Sequence, residues 1–112
     1  MTVTEMAEKL GWEVLVEGEG ACREIQTVYC CDLLSFVMGR APADSAWVTV
    51  MGNANAMAVA LLADVACVVL AEGAALDAEA AVKAKQHQIA VVSSQGLAVY
   101  PSAKAVAEVC GL

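Results

Sequence analysis

Residues 46–73 read as strand, helix and strand in immediate succession, and that unit constrains the fold more than any other feature of the chain. Trp47-Val-Thr-Val-Met51 is mostly β-branched and apolar, Gly52 permits a tight exit, and Asn53 or Asn55 can cap the orphan amides of the alanine-rich helix that follows. Ala66-Cys-Val-Val-Leu70 is then a second apolar strand. Two buried strands joined through a helix pair in parallel, so the chain is an α/β protein built on a parallel sheet. The strand-to-helix loop offers two amides and a glycine where an enzyme would usually place a nucleophile, a base or a metal ligand.

The flanking sequence continues the alternation. Thr2-x-x-Glu5 is a capping-box pattern and predicts a helix over 3–10 stopped by Gly11. Residues 12–16 alternate as a strand, 17–20 form a turn, and Ile25, Val28 and Tyr29 mark a second strand that ends near Cys31. Asp32 is placed to cap a short helix ended by Gly39. Asp77 opens a helix whose Ala81, Val82 and Ala84 would face the sheet, with Lys83 and Lys85 solvated. Residues 89–92 are then the third strand of the parallel core, and a closing helix over 102–109 starts at Pro101.

A chain of 112 residues suits one domain with its own core. Hydrophobic residues make up 60% and the mean hydropathy is +0.65, yet residues 54–70 are interrupted by Asp64, so they read as a helix and a strand and not as a bilayer span. Glu5 and Glu8 near the amino terminus do not fit an export signal, which places the protein in the cytoplasm. A net charge of −7 weighs against nucleic acid and anionic membranes as partners. Apolar content this high in a small chain also suggests a surplus face buried in a homodimer.

Five cysteines, an odd number, argue against a disulfide framework. Cys67 and Cys110 fall on apolar faces and pack as small hydrophobes. Cys30-Cys31, at a strand end beside Asp32, leaves a thiol redox role open. No phosphate loop, dinucleotide-binding glycine pattern, nucleophile elbow or metal-ligand spacing occurs, and the sole histidine, His87, falls at a helix end where a cation complements the dipole. Neither catalysis nor a cofactor is expected.

In open parallel sheets ligands bind beyond the carboxyl ends of the strands. That rule selects four loops, 31–35, 52–55, 71–73 and 93–96, with Asp32, Ser35, Asn53, Asn55, Glu72, Ser93 and Ser94 as the candidate ligand-binding residues. Helix amides beside them can hold a phosphate or carboxylate. Each also has an ordinary structural role open to it, as a cap or a turn closure. Asp32 or Glu72 acting as a base in a nucleotide-handling enzyme is the alternative.

Three stretches carry a family resemblance: Thr2-Val-x-Glu5-x-x-Glu-Lys-Leu10, Val28-Tyr-Cys-Cys-Asp32-Leu-Leu-Ser35-x-Val-Met-Gly39, and Trp47-Val-Thr with Ala58-Val-Ala-x-Leu-Ala-Asp64. In these the chain resembles DRTGG-type domain proteins, related to the amino-terminal domain of HPr serine kinase/phosphorylase. The resemblance spans nearly the whole chain. It implies a three-layer α/β/α sandwich like the amino-terminal domains of Mur ligases, and a regulatory role beside CBS pairs or a phosphotransacetylase. The loop corresponding to the family's Asp-Arg-Thr-Gly-Gly residues reads Gly52-Asn-Ala-Asn55, followed by Leu70-Ala-Glu-Gly73, so the family's arginine is missing and one glycine is kept. The kinase's catalytic half, with its phosphate loop, has no counterpart here.

Overall fold

The computed structural model describes residues 1–112. Ten elements follow one another: α1 (Val3–Leu10), β1 (Glu13–Val16), β2 (Thr27–Cys30), α2 (Leu34–Arg40), β3 (Ser45–Thr49), α3 (Ala54–Ala63), β4 (Cys67–Leu70), α4 (Ala78–Gln86), β5 (Val91–Ser93) and α5 (Val99–Cys110). The sheet order is β1-β5-β4-β3-β2, with β2 to β5 parallel and β1 antiparallel to β5. The parallel core therefore has four strands, one more than predicted, because β2 joins it in register beside β3.

Two apolar layers sandwich this sheet. On one face Trp47, Val68, Leu70 and Val91 pack with Val37 of α2, Met57 and Ala60 of α3, and Ala80 and Ala84 of α4. On the other, Ala46, Val48, Cys67, Val69 and Val92 pack with Val3, Met6 and Ala7 of α1 and Val106 of α5. Strand residues alternate between the faces, so central strands covered on both sides must be apolar throughout. The result is the three-layer α/β/α sandwich that the resemblance implied.

Capping chemistry explains which boundaries the sequence announces. Thr2 and Glu5 form the reciprocal box, with the Glu5 amide 3.2 Å from Thr2 Oγ1 and the Thr2 amide 2.9 Å from Glu5 Oε1. Hydrogen bonds from Thr2 hold the Glu5 carboxyl below its ordinary range. Gly11 ends α1 at φ 67°, as predicted.

Several expectations are corrected. Asp32 does not cap α2: Leu33 occupies that position without a side-chain bond, and Gly39 lies inside the helix, which continues to Arg40. In α4 the buried positions are Ala80 and Ala84, while Val82 is 66% exposed. Pro101 is the third residue of α5, which starts at Val99, because a proline in the first turn removes only an amide that has no intrahelical partner. The β3 strand sits two residues earlier than read, ending at Thr49, where the chain turns to meet Asp32.

Candidate functional site

Parallel pairing brings the loops after β2, β3, β4 and β5 to one end of the sheet, and a chain of polar contacts ties them together. Asp32 Oδ1 accepts the Thr49 hydroxyl at 2.7 Å and the Val50 amide at 3.0 Å, and Thr49 Oγ1 accepts the Met51 amide at 3.2 Å. Asp32 thus latches the first loop to the second. Gly52 presses on the third loop: a Cβ there would stand 2.0 Å from the Ala75 carbonyl oxygen, while the Gly52 carbonyl accepts the Asp77 amide at 2.9 Å. The Glu72 amide, on a residue with φ 59°, donates to the Leu97 carbonyl at 2.7 Å and joins the third loop to the fourth.

Two groups emerge among the seven sequence-predicted residues. Asp32, Asn53, Ser93 and Ser94 are engaged in structure. Asn53 Oδ1 caps α3 by accepting the Ala56 amide at 2.8 Å, and Ser93 Oγ accepts the Gln95 amide at 3.1 Å. Ser94 is buried, donating to the Leu70 carbonyl at 3.3 Å with Ser102 Oγ 2.8 Å away. Ser35, Asn55 and Glu72 are exposed side chains on the same rim. Thr49 and Ser102 belong to the same network and escaped the sequence reading, while Gly52 was read as a strand exit and not as a contact between loops.

The rim bears Asp32, Glu72, Asp77 and Glu79 and, across residues 31–33, 50–53, 71–77 and 94–98, no lysine or arginine. Arg40, Lys83 and Lys85 lie in the last turns of α2 and α4, at the opposite end, with His87 as the C-cap of α4. Arg23 is also held at that end: it donates to Asp44 Oδ1 at 2.7 Å and Asp64 Oδ1 at 3.1 Å. Partial burial alone would lower its pKa, but the two carboxylates outweigh that and hold it raised. Here Glu19, Arg23, Asp64 and His87 line a cleft of about 40 Å³. A second, wider cavity of about 290 Å³ lies between α1 and β1, lined by Thr4, Ala7, Glu8, Trp12, Val14 and Glu17. Neither includes any of the seven predicted residues.

Burial pushes the half-exposed Cys30 thiol up and the Asp32 charge adds to this, the reverse of what thiolate reactivity needs. Cys67, wholly enclosed, is pushed up to about 12, in keeping with its reading as a packed hydrophobe. All five cysteines are free.

No family model matches the chain. No curated protein matches it either. Among solved structures, it is similar to the CBS and DRTGG domains of the regulatory region of Clostridium perfringens pyrophosphatase, determined in complex with its activator, diadenosine tetraphosphate. The TM-score is 0.73 at 12% identity, over 94% of this chain and 45% of that one. The chain therefore spans less than half of that region. At this identity the likeness is one of fold, and the fold is DRTGG-like. The neighbour is a regulatory region and not a catalytic one.

Proposed function

We propose that this chain is a regulatory, non-catalytic domain that senses a small nucleotide-like or phosphorylated ligand at the carboxyl ends of its parallel strands, and that it works in the cytoplasm as a homodimer. The convergence of four loops, latched by Asp32 and Gly52 while leaving Ser35, Asn55 and Glu72 free, carries this reading. With no cation on the rim, phosphate oxygens would be held by the first-turn amides of α3 and α5. The carboxylates would take ligand hydroxyls, as acidic residues take ribose in other parallel-sheet nucleotide sites. The fold shared with a regulatory region that binds a nucleotide activator supports the ligand class, and the motif resemblance supports kinship with the HPr kinase amino-terminal domain.

A second reading, docking of a partner protein at the same rim, is favoured by one observation. The rim loops pack on one another, and both cavities lie elsewhere. Thermal shift assays with mononucleotides, dinucleoside polyphosphates and phosphorylated metabolites separate the two. A ligand present at 100 times its dissociation constant stabilises by about 2.7 kcal/mol. We expect such a shift from one class, reduced in Asn55→Ala and Glu72→Gln, neither of which removes a bond that holds the loops. No shift from any class would favour the protein partner.

A further inference from the structure

The β2 edge of the sheet is open, and its chemistry specifies what fits there. Backbone groups alternate along this segment. The Gln26 amide points inward to the Asp44 carbonyl, while the Ile25 amide and the Arg23 carbonyl point outward, to the Met1 carbonyl and the Val3 amide. Where the ladder begins the phase shifts: the Ala71 amide donates to the Thr49 carbonyl, so odd-numbered β3 residues face β4 while Ala46 and Val48 face β2. Val28 and Cys30, paired with these two, present their N–H and C=O groups outward, and β3 alone pairs with this strand. Thr27-Val-Tyr-Cys30 has no charge, proline or bulge, the devices that usually protect an edge. The opposite edge does carry protection: β1 is bulged between Val14 and Val16 and flanked by Glu13 and Glu17.

The geometry points to a second copy of this chain as the occupant, with β2 pairing antiparallel to its own dyad mate so that two five-stranded sheets become one. This inference rests on the homodimer reading above and specifies its surface. Outward groups on Val28 and Cys30 fix the register. Val28 lies opposite the partner's Cys30 as a hydrogen-bonded pair, twice, giving four backbone bonds, and Tyr29 faces the partner's Tyr29 as the central pair without hydrogen bonds. One open edge per copy closes the assembly at two, where two open edges would propagate a fibre.

Packing and charge agree with this arrangement. Helix α2 crosses from β2 to β3, so strand spacing places the two α2 axes about 10 Å apart across the dyad, a separation at which helices pack. Phe36 and Arg40 sit a quarter-turn from the buried stripe of Leu34, Val37 and Ala41, on the flank away from α3, with the guanidinium 3.9 Å over the ring. Phe36 is 42% exposed. Asp32 follows the carboxyl end of β2 and Arg40 lies where α2 returns to the amino end. Antiparallel pairing therefore brings each Asp32 toward the partner's Arg40.

Two substitutions test this on the full chain. Tyr29→Cys places a thiol opposite its own copy in a pair whose spacing suits a disulfide. Mild oxidation is expected to yield a covalent dimer whose cross-linked peptide joins position 29 to position 29. Val28→Pro removes an outward amide, which an edge strand tolerates within a monomer, and is expected to convert the dimer to a folded monomer with unchanged far-UV circular dichroism. A dimer by light scattering that survives Val28→Pro and gives no 29-to-29 cross-link overturns this surface while leaving the homodimer reading intact. A monomeric wild type at 100-micromolar concentration overturns both.

Discussion

Removing the Asp32 carboxylate strands two donors at once, the fully buried Thr49 hydroxyl and the Val50 amide. An unpaired buried donor costs about 1–3 kcal/mol, so Asp32→Ala is expected to lose that much in urea denaturation, while Asp32→Asn, which keeps the accepting oxygen, loses less. Equal losses would show that charge and not acceptance matters there. From sequence this residue looks like a helix cap because local patterns see only the next few positions; its partner Thr49 lies 17 residues away. Ser94 misleads in the same way: its polarity suggested a ligand contact, but it is buried against Ser102 and the Leu70 carbonyl. Ser35, Asn55 and Glu72, whose exposure follows from their places at helix starts and a turn, are the predicted site residues that keep their side chains free.

At the scale of elements, cap chemistry decides what can be read. The limits of α1 are local, written in Thr2, Glu5 and Gly11, and the sequence reading matches them residue for residue. The α2 helix has no such grammar: its cap residue is Leu33, and Gly39 fails to stop it, since the packing of Leu34, Val37 and Ala41 against the core carries the helix one residue further, to Arg40. No heavy atom lies within 4 Å of where a Gly39 Cβ would stand. Gly39→Ala is therefore expected to stabilise the protein by about 0.5–1 kcal/mol, because glycine inside a helix loses more backbone freedom than alanine. A lower denaturation midpoint would mean that this glycine serves a surface the monomer does not use.

Over the whole molecule, helices that run opposite to the parallel strands separate the charge. Arg40, Lys83 and Lys85 finish α2 and α4 at one end, and the acidic rim occupies the other. The parallel core was legible because residues 46–73 declare it. The position of β1 was not, because Glu13 pairs with Ser93 across 80 residues of chain and nothing near either marks the partnership. A shorter separation, the 17 residues between Asp32 and Thr49, hides the latch between the rim loops in the same way, and the proposed ligand site depends on that latch. A backbone-amide NMR titration with diadenosine tetraphosphate tests that site most directly. The account predicts saturable shifts clustered in residues 31–35, 50–55, 71–77 and 94–98. Shifts confined to the groove of Trp12 and Val14, or to the cleft around Arg23 and His87, would contradict it.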